Sequence, residues 1–323
     1  MKRLSFFGAA LASLLALAPA AGNAQAYPNK PIKLIVGYPP GGNLDIIARV
    51  VGQRLSEQIG QAVLIENKPG ADARIASQYV AASPADGYTL LVGATGQMVY
   101  NPALHSTLGY DPVKDFVPIT LLGSTPLLFA VNAKSPINSV KDLIAAAQAK
   151  PGELFYSWGA TPFYAAGELF KTMAKVQLSN VPYKGNVGAV NAALAGDVAV
   201  VVADVPTTLS QIQGGKLRPI AITGAERTKY LPDTPTMIES GINFHSVSWT
   251  GLFAPAGTPP AVIDKLYATL AAILKSDGMK EQLARVSFDS TGSGMPSAEF
   301  GAMHQRELTR WTRTLKELNI RAN

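Results

Sequence analysis

The sequence predicts an α/β protein of two lobes with a cleft between them. Three observations point to this. After residue 26, short β-rich runs alternate with segments of helical period along the whole chain, the signature of α/β layers. The alternation makes one βαβαβ unit up to Val92 and restarts at Leu127 with enough strands for a second sheet. A chain of roughly 300 residues also commonly holds two domains.

Residues 1–26 stand apart. Lys2 and Arg3 precede an uncharged apolar run over 4–18, and Ala24-Gln25-Ala26 fits the small-x-small cleavage pattern, so an export signal cut before Tyr27 is expected. The run, at about 15 residues, is short of the roughly 20 of a spanning helix. The chain has no cysteine. A lipoprotein attachment site, disulfides, thiolate metal sites and a Cys nucleophile are thereby excluded. An exported chain of this kind depends on its hydrophobic core, and 47% hydrophobic residues supply one. The net charge of +6 falls to +4 without the two basic residues of the leader. That is mild, and no Lys/Arg run of the nucleic-acid or membrane-surface kind occurs. A weak positive field suits an anionic ligand, and chance composition explains it equally well.

The expected elements follow in order. Residues 32–36 form a strand and 43–59 a helix, with Ile47, Val51, Leu55 and Ile59 on one face and Gly60 as its end. Strands follow at 62–65 and, after the Pro84-Ala85-Asp86-Gly87 turn, at 88–92. The second series has strands at 127–131, 154–157, 178–182, 198–203 and 217–223. Its helices are 139–150, capped by Ser139, then 165–175 and 187–194. The unbroken apolar run 198–203 reads as a strand buried on both faces. A strand at 247–254 and helices at 259–275 and 296–318 end the chain. These assign 27–125 with 250–323 to one lobe and 126–249 to the other. Two strands near 125 and 249 cross between them as the hinge. Ligands favour such crevices, at the carboxyl ends of strands.

Four segments could meet a ligand. Tyr38-Pro39-Pro40-Gly41-Gly42-Asn43-Leu44-Asp45 joins the first strand to the first helix. Its glycines admit close backbone approach, and Asn43 would cap a helix whose N-terminal N–H groups bind carboxylate or phosphate. An ordinary βα turn fits as well. No Gly-Lys-Ser/Thr follows, so it is not a phosphate-binding P-loop. Thr95 and Gln97 offer a hydroxyl and an amide on the loop after residue 92, where a tight turn is the alternative. Ser157 and Thr161 can hydrogen-bond a carboxylate, and Trp158, Phe163 and Tyr164 can wall an apolar or aromatic guest or pack between the lobes. Asp204 could accept from a ligand or cap the helix after it, with Thr207 or Thr208 helping. Catalytic patterns are lacking. His105, His245 and His304 have no metal-ligand spacing, with His304 expected in solvent, and there is no nucleophile elbow or dinucleotide fingerprint. The expectation is binding without chemistry, cofactor or metal.

The chain resembles the tripartite tricarboxylate transporter receptors, the Bug family. The resemblance rests on Tyr27-Pro28-Asn29-Lys30-Pro31-Ile32, Pro39-Pro40-Gly41-Gly42, Glu66-Asn67-Lys68-Pro69-Gly70-Ala71 and Asp86-Gly87-Tyr88-Thr89-Leu90-Leu91. It also rests on Tyr110-Asp111-Pro112-Val113-Lys114-Asp115-Phe116, Val181-Pro182-Tyr183-Lys184-Gly185, Leu231-Pro232-Asp233-Thr234-Pro235-Thr236 and Ala254-Pro255-Ala256-Gly257-Thr258-Pro259. It implies a type II-like Venus-flytrap periplasmic binding protein, soluble and monomeric, that closes on a small organic carboxylate for a membrane transporter. The loops matching 38–45 and 157–164 and the strand end at Asp204 would contact the ligand. Two departures stand out. Gly159-Ala160-Thr161 replaces a Gly-Asn-Gly-Ser/Thr loop, with Tyr164 where the family has His, and Asn43-Leu44 stands where Ala/Ser-Thr is common. The added aromatic character implies a bulkier or aromatic carboxylate. A sensor receptor for a membrane signalling partner, or an enzyme acting on an anion in the same cleft, are the alternative roles.

Overall fold

The computed structural model describes residues 27–321. The expected export signal and its cleavage site lie outside them. The first series of elements is β1 (Ile32–Val36), α1 (Asn43–Ile59), β2 (Val63–Asn67), α2 (Arg74–Ala81) and β3 (Thr89–Ala94). A π-helical turn, Gly96–Tyr100, runs into the short α3 (Asn101–Leu104). β4 (Phe116–Asn132) then leads out of the first lobe. The second lobe holds α4 (Val140–Ala149), β5 (Phe155–Trp158), α5 (Thr161–Ala174), β6 (Ser179–Pro182), α6 (Asn186–Ala195), β7 (Val200–Asp204), α7 (Val205–Gln213) and β8 (Leu217–Ile222). β9 (Val247–Pro255), α8 (Pro260–Lys275), α9 (Asp277–Arg285) and α10 (Ser297–Glu317) return to the first.

Each lobe has its own sheet. In the first the strand order is β2-β1-β3-β9-β4, parallel from β2 to β3, with β9 antiparallel to β3 and β4. In the second, β4 lies between β8 and β7, antiparallel to both, and β7 continues to β5 and β6 in parallel. β4 thus serves both sheets. Its Ser124, Thr125 and Pro126 pair with Trp249, Ser248 and Val247 of β9.

Local patterns explain the elements that position the cleft. α1 buries Leu44, Ile47, Val51 and Leu55 against Ile32, Leu34 and Val36 of β1, and Gly60 ends it in the left-handed conformation (φ 67°) that glycine enters without a Cβ penalty. All five residues of β7 are buried. Ser139 caps α4 as expected, its side chain accepting from Asp142 N–H at 3.1 Å. Ser139→Ala should lower stability by about 1 kcal/mol in urea denaturation, the usual worth of such a cap.

Three expectations are corrected. α5 begins at Thr161, four residues before the expected start, because Pro162 is suited to a first helical turn. β4 extends from Phe116, well before the strand start expected at Leu127, because pairing with β9 sustains it. His304 is buried, its Nε2–H donating to Met98 carbonyl oxygen at 2.9 Å. It belongs to the face of α10 that also buries Phe300, Trp311 and Leu315, and burial pushes its pKa down, against the Met98 bond.

Candidate functional site

A cleft opens where the two lobes meet, lined from both sides. Tyr38, Pro39, Pro40, Gly42, Asn43 and Leu44 line it from the β1–α1 loop and the first turn of α1. Ala94 and Gly96 line it after β3, and Ser248 at the crossing of β9. The second lobe contributes Ala160, Pro162 and Phe163 at the start of α5, and Lys184, Gly185, Asn186 and Val187 at the start of α6. None of these residues is acidic, and Lys184 is an exposed cation among them.

Three helices therefore begin at one cavity. The first N–H groups of a helix have no intrahelical partner and carry the positive end of its dipole. In α1 the capping residue is Gly42 rather than the expected Asn43, no side chain caps the end, and the N–H groups of Asn43, Leu44 and Asp45 meet no acceptor among the described residues. Gly41 turns the chain there with φ 82°, and its N–H donates to Asp45 Oδ2 at 3.0 Å. Arg49 donates to both oxygens of Asp45, at 2.9 Å each, and Asn67 to one at 3.1 Å. Burial would raise the Asp45 pKa, but these donors hold it below the usual carboxylate value. Its charge is answered within the first lobe.

α6 starts at Gly185 (φ 87°) and Asn186, again without a side-chain cap. The N–H groups of Val187 and Gly188 have no described acceptor. Gly185 lies close to the loop of the other lobe: a Cβ there would sit 3.3 Å from Pro39 Cδ. The N-termini of α1 and α6 are thus drawn together from opposite lobes. Asn186 donates through Nδ2 to Asp204 Oδ2 at 2.7 Å. Because the carboxylate takes the amide's hydrogens, the other amide atom is fixed as the acceptor Oδ1, which is buried and meets no donor.

The remaining expected residues fall into two groups. Thr95 and Gln97 are buried beside the lining residues Ala94 and Gly96. Thr95 hydrogen-bonds Ser248 Oγ at 3.1 Å, and Gln97 Oε1 accepts from Ala94 N–H at 3.0 Å. Ser157, Trp158, Thr161, Tyr164 and Asp204 do not line the cleft, and their polar groups have protein partners. Ser157 donates to Ala189 carbonyl oxygen and Trp158 to Asn180 Oδ1. Tyr164 donates to Arg321 carbonyl oxygen. Thr161 meets Asp72 and Asn101. Asp204 caps α7, accepting from Thr207 N–H at 3.0 Å, and is completely buried. Burial lifts its pKa to about 6, against the bonds from Thr207 and Asn186. Sequence reasoning missed Asn186, Val187, Ser248 and Asp72 as site residues. A Gly-Asn pair before a helical run marked the α6 end; no local signal marked Asp72.

Among the described residues no cluster of three or more His, Asp or Glu could hold a metal ion, and no helix is long and apolar enough to cross a membrane. Two α/β lobes joined through β4 around such a cleft define a receptor of the periplasmic binding class. A family model described as "Tripartite tricarboxylate transporter family receptor" matches residues 47–320. The chain belongs to that family, the Bug family of receptors. It is similar to BugT of Bordetella pertussis, 35% identical over 81% of this chain and 82% of that protein. Among solved structures, it is similar to Rhodopseudomonas palustris Rpa4515 with adipate (TM-score 0.87, 34% identity, 91% of this chain and 98% of that one). It is also similar to MatC of the same organism with bound malate (TM-score 0.84, 28% identity, 89% and 99%).

Proposed function

We propose that this receptor captures a small organic carboxylate in the cleft and delivers it to a tripartite tricarboxylate-type membrane transporter. One observation carries the reading: unpaired N–H groups at the starts of α1 and α6, one helix from each lobe, converge on a cavity without a lining acid. A carboxylate accepting from both helices interacts better with the closed arrangement than the open one, and so shifts the receptor toward closure. The lobes in this reading are 27–125 with the segment from 250 onward, and 126–249. They hinge where Ser124–Pro126 pair with Val247–Trp249. The adipate and malate named with two similar structures support a carboxylate as ligand class. Pro39, Pro40, Leu44, Phe163 and Val187 suit an apolar carbon body. The protein acts as a monomer, in the periplasm, and makes or breaks no bond.

A thermal-unfolding screen of organic acids, amines and sugars tests this. An acid present at about 100 times its dissociation constant should add about 2.7 kcal/mol of stability, and native mass spectrometry of freshly purified protein should show a retained acid. Stabilisation by amines or sugars and by no acid would refute the reading.

A further inference from the structure

The N-terminus of α5 faces the same cleft as those of α1 and α6, yet it has no N–H group left for a guest. Phe163 N–H and Tyr164 N–H both donate to Ala160 carbonyl oxygen, at 3.0 and 3.3 Å. Pro162 has no N–H. The last donor of the turn, Thr161 N–H, is taken by Asp72 Oδ2 at 3.1 Å.

Asp72 belongs to the other lobe, on the turn between β2 and α2. Tyr38 Oη, in the cleft wall, donates to its Oδ1 at 2.9 Å, and the Thr161 hydroxyl also meets Oδ2. That hydroxyl has one hydrogen and a second neighbour, Asn101 Oδ1 at 2.6 Å. Whichever acceptor it serves, Thr161 N–H stays occupied. Ala71, Asp72 and Ala73 hold this turn with φ of 47°, 50° and 64°, a left-handed run that L-residues enter only at a cost. Asn101 Nδ2, donating to the Asp72 carbonyl oxygen at 2.8 Å, and the bond from Thr161 N–H to the side chain hold it there. The cleft wall beside it is uncharged and closely packed: a Cβ on Gly96 would lie 2.8 Å from Tyr38 Oη and 3.3 Å from Pro162 Cδ.

Resting on the receptor reading above, we propose that Asp72 makes the cleft selective for monocarboxylates: it supplies the protein's own carboxylate to α5, so that α1 and α6 take the ligand's single anionic group and the α5 end takes an uncharged tail. A helix N-terminus facing a cleft would otherwise be a second carboxylate subsite. Here its donors are used, and a second ligand carboxylate would meet the Asp72 carboxyl group with no hydrogen bond to gain.

The test uses isothermal titration with two matched pairs, hexanoate with adipate and benzoate with terephthalate. Wild-type protein should bind the monoacid of whichever pair it accepts about tenfold or more tightly than the diacid, the worth of about one charge-assisted hydrogen bond. Asp72→Gly suits the left-handed position and frees Thr161 N–H. It should move that ratio about tenfold or more toward the diacid. Circular dichroism checks that the variant folds, and the wild-type ratio needs no variant. A wild-type protein that binds diacid as tightly as monoacid, or a folded variant with an unchanged ratio, overturns the role of Asp72 and leaves the receptor reading standing. If no acid binds either protein, the receptor reading falls and this inference with it. Diacid binding gained only in the variant supports it.

Discussion

Gly159→Ala is expected to raise the dissociation constant for the receptor's carboxylate by about a hundredfold or more while the protein still folds. Gly159 lies at the end of β5 against the start of α6. A Cβ there would sit 2.3 Å from the carbonyl carbon of Gly185, 2.4 Å from Asn186 N and 2.5 Å from Gly185 O. All three are backbone atoms, so no side chain can rotate away. The first turn of α6 must withdraw, taking the N–H groups of Val187 and Gly188 with it. Overpacking of this kind costs about 1–3 kcal/mol of stability. Two hydrogen bonds to a charged guest lost together amount to about 3–6 kcal/mol, hence the hundredfold or more. Titration calorimetry with an acid that stabilises the wild type reads the affinity, and far-UV circular dichroism reads the fold. Gly278→Ala is the control, since a Cβ there meets nothing within 4 Å. Unchanged affinity in Gly159→Ala would remove α6 from the anion site.

The second large effect is a fall in stability between pH 4 and 6 that disappears in Asp204→Asn. Burial raises the Asp204 carboxyl from 3.8 to about 6 in the folded protein. Between those values the folded state holds a proton that the unfolded state has released. Stability therefore declines as pH rises through this window. The protonated group's contribution is complete below about pH 4 and lost above about pH 6, a difference of about 3 kcal/mol. Asparagine keeps an acceptor for Thr207 N–H and cannot titrate. Denaturant unfolding of both proteins across pH 4–7 reads the difference. Asp72, also raised by its surroundings despite partial exposure, is common to both and cancels. Parallel curves would contradict this account of Asp204. Above the window the ionised Asp204 accepts from Asn186 and fixes Oδ1 of that amide as an acceptor beside the cleft.

Most of the fold was legible because it rests on local periodicity. The four-residue spacing of Ile47, Val51 and Leu55 predicted the buried face of α1, and the apolar run before Asp204 predicted β7. Where reading failed, a polar residue or a long-range pairing was the cause. His304 sits four residues after Phe300 and seven before Trp311, on the buried face of α10, but imidazole reads as polar unless a carbonyl oxygen such as that of Met98 receives it. The Thr161-Pro162 start of α5 resembled a loop because Ala160, which precedes it, has no capping side chain.

The sequence by itself determined the α/β class and the two-lobed fold, and it marked the β1–α1 loop as a candidate wall of the cleft. A βα loop lines the start of its own helix, so residues 38–43 announce that wall without reference to anything distant. Only the tertiary structure decided which donors remain for a guest. Thr161 N–H is taken by a carboxylate 89 positions away, and Asn186 owes its orientation to Asp204 across 18. A helix N-terminus looks the same in sequence whether it is open or occupied. Its availability depends on which side chains of the other lobe reach it, and that is settled only when the two lobes fold against each other.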